Sequence, residues 1–440
     1  MGIFKAYDIR GIVPDEFNPE LGYKISNALA QFLGAANIVV GHDMRSHSAE
    51  IAAASKRGIL DAGVDVIDID LSSTPAAYFA VGQGGYGGGL QVTASHNPAR
   101  YNGYKLCREQ AIPLSYESGI EDIEELVRKG SVRKAHQPGQ IYRKDITEEY
   151  LRHVLRFVQY LKPLKVAVDA ANGMAGRYIP LLFEELPCEL IPLYLQLDGT
   201  FPHHEANPLE EKNLADLKKT VLEKGADLGV AFDGDADRAA FVDEKGRTIS
   251  NDLVTALIAQ ETLAHWPNTP VIYDLRSSWV VPEEVEKMGG IPVESRVGHS
   301  YIKRLMRERN AVFGGELSGH YYFRENFYAD NALIALVKVL NLMSSRDQAL
   351  SEIMKPLRRY CATGEINFEV TDKDAKIEEL GEAFSDGEVY FLDGVSVRYP
   401  DWWFNVRKSN TEPLLRLNLE ARTKELMEEA KDRVVKIIQR

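Results

Sequence analysis

Cysteine is scarce in this chain: Cys107, Cys188 and Cys361 are odd in number and far apart in 440 residues. That argues against a disulfide framework and for a reducing cytoplasm. Long apolar runs are also missing. None approaches the roughly 20 residues that span a bilayer, so no membrane partner is expected. The start, Met1 to Asp8, has no basic region followed by a hydrophobic core, so no signal peptide is expected either. It opens Met1-Gly2 like a myristoylation site, but Ala6 stands where Ser or Thr is required. Basic charge is in deficit, with 52 Lys and Arg against 65 Asp and Glu and a net charge of −13. Such a field disfavours nucleic acid as a partner, and any anionic ligand must be gripped by locally placed cations.

What is present is the composition of a globular protein, 45% apolar and 27% charged. The length predicts about three domains. Ile38 to Gly41, Val64 to Ile69 and Gly89 to Val92 read as strands, and Ser48 to Ala62 as a helix closed by Gly63. Each strand runs into a polar or glycine-bearing loop, the pattern of a parallel sheet with crossover helices. Ligands in such sheets sit at the loops beyond the strand ends. The pattern restarts at Lys165 to Asp169, after a polar stretch (Arg133 to Asp145), and again near Asn251, with a helix and the strand Val271 to Asp274. The last 80 or so residues differ: short strands at Glu365 to Val370, Val389 to Leu392, Ser396 to Tyr399 and Leu414 to Leu419 precede a helix from about Thr423. We expect three α/β units, residues 1–145, 146–248 and 249–361, and an α+β domain, residues 362–440.

Four loops carry chemistry. Thr93-Ala94-Ser95-His96-Asn97-Pro98 follows an apolar strand. Read alone it is a Ser/Asn/Pro turn, and no Gly-x-Ser-x-Gly elbow supports an esterase triad. Asp233-Gly234-Asp235-Ala236-Asp237-Arg238 is more demanding, because three carboxylates at alternate positions repel one another without a cation. An EF-hand is disfavoured by Arg238 where the sharp turn needs glycine, and by strand-like flanks. Mg²⁺, which takes few carboxylates and leaves sites for phosphate, fits better. Ala236 limits positive φ there and predicts a slightly altered loop. In Gly314 to His320, Glu316 and Ser318 are spaced to accept from and donate to sugar hydroxyls, although a mundane turn is an equal reading. Arg407-Lys408-Ser409-Asn410-Thr411, which we place in a loop between strands, gathers two cations and three short polar side chains, a phosphate cradle in an acidic protein.

These loops, in this order and spacing, resemble the α-D-phosphohexomutase superfamily over essentially the whole chain, and Lys5-Ala6-Tyr7-Asp8-Ile9-Arg10-Gly11 resembles its phosphomannomutase/phosphoglucomutase branch. The resemblance implies four domains around a central cleft. It implies a Ser95 that carries the phosphoryl group, Asp233, Asp235 and Asp237 as Mg²⁺ ligands with a phosphoserine oxygen, and Arg10, His96, Lys105 and Arg238 near the transferring group. Lys105 is then the general acid/base, and to act as a base it needs surrounding cations to lower its pKa. Glu316 and Ser318 become the sugar-hydroxyl readers. Arg407, Ser409, Asn410 and Thr411 grip the non-reacting phosphate, and Tyr7, Arg276, His299 and His320 line the cleft.

The implied activity interconverts sugar 1- and 6-phosphates of mannose or glucose, with a hexose 1,6-bisphosphate as intermediate and activator, and small sugar phosphates as partners. Phosphoglucosamine mutases share the serine and metal motifs but differ at the N-terminal segment and in the phosphate loop, where this chain has Ser409-Asn410-Thr411. Two further alternatives come from the residues alone: a phosphatase with Asp233 as nucleophile, and a Ca²⁺-binding protein without catalysis.

Overall fold

A computed structural model of the chain describes residues 2–409 and 414–440. Three α/β units follow one another, each built on one mixed sheet. In the first, Gly88–Val92, Asn37–His42, Asp65–Leu71 and Ile141–Arg143 run parallel, and Tyr101–Arg108 and Ile9–Ile12 add antiparallel neighbours. In the second, Glu189–Leu193, Lys165–Asp169 and Leu228–Phe232 are parallel, and Ala239–Asp243 returns antiparallel. In the third, Ile291–Ser295, Pro270–Asp274 and Phe313–Gly315 are parallel, and Tyr321–Phe323 returns antiparallel. The expected parallel sheets are therefore corrected to parallel sheets with antiparallel strands added at one edge.

The physical reason lies in three short connections. Residues 93–100, 233–238 and 316–320 are too short for a crossover helix, so the next strand must turn back beside the one before it. Each of these connections is one of the loops singled out above.

The C-terminal unit is an antiparallel sheet of Cys361–Ala362, Leu414–Ala421, Trp402–Lys408, Val395–Arg398 and Glu388–Tyr390, with Ile366–Glu369 also on Leu414–Ala421. Helices Lys373–Ala383 and Lys424–Ile438 accompany it, and the Thr423 side chain caps the second by accepting from the Leu426 N–H. Arg407 and Lys408 lie on the strand Trp402–Lys408, not in the loop where the sequence reading put them.

Helix Thr74–Gly84 of the first unit places the site. Residues 74 to 81 are buried all round, and the helix packs into a core shared with the second and third units. Its N-terminus meets the acidic loop: the Thr74 N–H donates to the Asp235 carbonyl at 3.2 Å and the Thr74 hydroxyl to its carboxylate at 2.5 Å. Among the described residues no helix is long and apolar enough to cross a membrane.

Candidate active site

Ser95 is fully buried and sits at φ 50°, a left-handed conformation that a serine adopts only when its surroundings impose it. The surroundings are visible. Arg45 donates to the backbone carbonyls of Ser95 (2.8 Å), Asn97 (2.6 Å), Pro98 (2.9 Å) and Tyr101 (3.1 Å), so one buried guanidinium holds the whole turn. Arg10 adds donations to the Ala94 carbonyl and the Asn97 side chain and pairs with Asp8 at 2.6 Å.

So held, the Ser95 hydroxyl donates to Asp233 Oδ2 at 2.8 Å and lies 3.3 Å from His96 Nδ1. Burial, then the charges of Arg238, Arg10 and Lys105, keeps His96 well below the usual imidazole range and therefore neutral.

The acidic loop faces this serine. Asp233 Oδ1 accepts the backbone N–H groups of Asp237 and Arg238, both at 3.1 Å. Burial, then the neighbouring Asp237 and Asp235 carboxylates, pushes the Asp233 carboxyl well above its ordinary value. Asp235 behaves oppositely. Burial raises it, but Lys105 and the Thr74 hydroxyl outweigh that and hold it low.

Carboxylate atoms of Asp233, Asp235 and Asp237 all lie within 4.8 Å of one another. Asp235 Oδ1 and Asp237 Oδ1 are buried with no hydrogen-bond partner among the described residues. Two orphaned carboxylate oxygens in a buried trio are what a hard divalent cation satisfies, so the residues present fit the expected metal. Ala236 takes φ 60° despite its methyl group, so the loop expected to be altered adopts the left-handed turn anyway.

For Lys105 the expected influence of neighbouring cations is what the structure corrects. Its ammonium contacts Asp235 Oδ2 at 2.9 Å and also Asp237 Oδ2. Burial lowers its pKa, but these carboxylates, Asp235 first, more than reverse that, so it is held firmly protonated. The lowering that a base would need is absent, because carboxylates rather than cations dominate its surroundings.

Arg238 extends from the end of the acidic loop to the third unit, donating from Nε to His320 Nε2 at 2.9 Å. Glu316 accepts the Gly298 N–H at 3.0 Å and the Tyr322 hydroxyl at 2.5 Å. Ser318 Oγ and both ring nitrogens of His299 are buried without a partner among the described residues. Tyr7 donates to the Val297 carbonyl at 3.0 Å and packs edge-on against His299, with ring centroids 5.6 Å apart.

A third group gathers cations around Arg407, the first residue of the expected phosphate grip. Arg276 is held by Asp274 through two contacts of 3.0 and 2.9 Å, and Asp274 also accepts the Leu317 N–H at 2.8 Å, which ties the cation to the hydroxyl-reading loop. Glu365 gathers Arg276 (3.4 Å), Arg407 (3.0 Å) and Arg416 (2.9 Å). Ser409 adjoins this group through Arg407 and Lys408, while Asn410 and Thr411 lie outside the described residues.

Ser95, the three aspartates, Lys105, Arg238 and His320 thus form one contact network, with Glu316, His299 and Tyr7 beside it. Arg45, Thr74, Asp274 and Glu365 escaped the sequence reading. Each stands away from the four loops and signals its role only through the atoms it reaches.

Comparison with known proteins identifies the family. The phosphoglucomutase/phosphomannomutase family is matched by its alpha/beta/alpha domains I, II and III at residues 1–134, 148–246 and 250–360, and by its C-terminal domain at 365–437. The chain belongs to this family. It is similar to the phosphohexose mutases of Xanthomonas campestris pv. campestris, at 42% identity over 95% of both chains. It is also similar to the phosphomannomutase of Methanocaldococcus jannaschii, at 39% identity over 99% of this chain and 97% of the other. The crystal structure of a phosphoglucomutase/phosphomannomutase family protein from Burkholderia thailandensis matches with a TM-score of 0.92 and 32% identity, covering 100% of this chain and 98% of the other. The protein is a phosphohexose mutase, an isomerase of carbohydrate metabolism.

Proposed function

We propose that the enzyme interconverts the 1- and 6-phosphates of mannose and of glucose through phospho-Ser95 and a hexose 1,6-bisphosphate intermediate. The observation that carries this reading is the Ser95 hydroxyl, pinned in a strained turn and donating at 2.8 Å to Asp233, one of three buried carboxylates. Asp233, Asp235, Asp237 and an oxygen on Ser95 would hold Mg²⁺, which when bound neutralises phosphoryl charge.

The transfer itself is a displacement in which a sugar hydroxyl oxygen forms the new O–P bond as the Ser95 Oγ–P bond breaks. In net the hydroxyl proton passes to the departing Ser95 Oγ, which is left as a free hydroxyl, and Lys105, held protonated, balances the charge that develops there. After reorientation of the bisphosphate, its other phosphate returns to Ser95. Glu316 and Ser318 read hydroxyls, with Tyr7, His299 and His320 around the sugar. Arg276, Arg407, Ser409, Asn410 and Thr411 hold the phosphate that is not reacting. We place the domain limits at 145, 248 and 361. The three unpaired cysteines fit a cytoplasmic enzyme.

The test combines intact-protein mass spectrometry with coupled assays on mannose, glucose and glucosamine 1-phosphates, with and without a hexose 1,6-bisphosphate. We expect one phosphate on Ser95, turnover of the first two sugars, loss of turnover in Ser95→Ala, and loss with EDTA that Mg²⁺ restores. An active Ser95→Ala would point instead to Asp233 as nucleophile, and preference for the amino sugar would reassign the substrate.

A further inference from the structure

Lys303 and Asp330 form an ion pair whose atoms are almost entirely shielded from water: their side chains are 0% and 1% exposed, with Nζ 2.7 Å from Asp330 Oδ1. Lys303 comes from helix His299–Arg309, and its ammonium lies 4.1 Å from the ring centroid of Tyr78 on helix Thr74–Gly84. Burying two charges this completely is a poor source of stability, because their desolvation offsets most of the attraction. Nor does this carboxylate call for a metal ion, since Lys303 already supplies its cation.

The other oxygen of Asp330 has a more specific neighbour. Oδ2 lies 2.7 Å from His320 Nδ1, a close charge contact without hydrogen-bond alignment, and Asp237 Oδ1 lies 3.7 Å from the same nitrogen, while His320 Nε2 receives the Nε–H of Arg238 at 2.9 Å. An arginine N–H can only donate, so Nε2 must be the unprotonated nitrogen. A carboxylate oxygen against Nδ1 requires the proton there. Both contacts therefore demand the same tautomer.

We propose that Asp330, held by Lys303, is a positioning residue whose charge sets the tautomer of His320, and through it the aim of Arg238 at the reacting end of the site. Arg238 Nε is also 4.0 Å from Asp233 Oδ2, the oxygen that receives the Ser95 hydroxyl. The chain Lys303–Asp330–His320–Arg238 thus runs from the interior of the third unit to the serine. It rests on the reading of Ser95, Arg238 and His320 as the reaction site.

Asp330→Asn tests the proposal because Lys303 dictates how the amide must turn. Its oxygen faces the ammonium, its NH₂ faces His320 Nδ1, and His320 is driven to the Nε2–H tautomer, donor against donor with Arg238. We expect kcat to fall about 10- to 100-fold, the range for losing a group that orients a functional ligand, with KM within about twofold. In Lys303→Met/Asp330→Asn the amide is free to present its oxygen to Nδ1, so kcat should recover most of the loss. A purely structural ion pair would recover in the double variant as well, since no uncompensated charge is left buried. A His320→Ala background separates the two: a structural role still makes Asp330→Asn costly there, whereas under the proposal it should cost nothing further.

Unchanged kcat in Asp330→Asn, or no recovery in the double variant, overturns the proposal. Should Asp330→Asn fail to fold, ¹⁵N histidine spectra of the wild-type enzyme decide: a proton on Nδ1 of His320 supports it and one on Nε2 overturns it. If His320→Ala itself leaves turnover intact, the placement of the reaction site fails instead.

Discussion

Glu316 meets a donor with each carboxylate oxygen, the Gly298 N–H at one and the Tyr322 hydroxyl at the other. Glutamine offers a single acceptor, so in Glu316→Gln one NH₂ must face a donor in a buried place. A mispaired buried polar group costs about 1–3 kcal/mol, and the loop holding Glu316 would turn to relieve it. Glu316→Gln is expected to lose about tenfold or more in kcat/KM in the coupled assay, at 1.4 kcal/mol per tenfold, with its circular dichroism unchanged; retention of activity would detach Glu316 from the sugar. At this scale legibility follows charge density. Asp233, Asp235 and Asp237 stand out because three carboxylates in five residues need an explanation. Asp274 and Glu365 are single acids, and the contacts that tie them to the site, Leu317 for Asp274 and Arg276 and Arg407 for Glu365, lie 43, 89 and 42 positions away. The carboxylates that hold Lys105 protonated were illegible for the same reason, since they lie 130 and 132 positions away.

Elements were legible where pattern and punctuation agree. The strand Lys165–Asp169 has the bounds expected, and the helix expected over 48–62 spans Ser48–Asp61, just short of Gly63. Trp402–Lys408 was missed because six of its seven residues are buried on both faces, which leaves no alternation to detect. The antiparallel return strands share a different problem, since a run of apolar residues does not declare its direction. Helix Thr74–Gly84 gives a clean test of a terminal signal. Gly85 closes it at φ 64°, exposed, with nothing within 4 Å of where a Cβ would sit. Gly85→Ala therefore adds only the left-handed penalty, about 1 kcal/mol. Urea unfolding should show a loss of that size. Turnover should stay unchanged, because Thr74 and its contact with Asp235 are at the far end; a variant as stable as wild type would show that the cap contributes nothing.

Across the whole molecule, three units place a functional loop at the same point of the topology, where the last parallel strand turns back on itself, and one shared core brings those loops together. The fourth unit is held differently. Glu420, on strand Leu414–Ala421, is 3% exposed and accepts the Trp279 N–H of the third unit at 2.9 Å and the Trp403 indole N–H at 3.1 Å. Burial is the main cause that pushes its carboxyl up to about 7 from an ordinary 4.5. A carboxyl whose folded pKa is raised binds its proton more tightly in the folded state, so its contribution is complete below about pH 4.5 and is lost as pH rises through about 7. The shift corresponds to about 3 kcal/mol. Docking of the C-terminal unit should accordingly weaken between pH 5 and 8. Glutamine keeps an oxygen for both N–H donors and carries no charge, so Glu420→Gln should unfold at a higher midpoint than wild type at pH 8 and converge with it near pH 5. Calorimetry at both pH values decides the matter: parallel curves for the two proteins would mean that Glu420 stays ionised at the junction and that some other group sets the pH dependence.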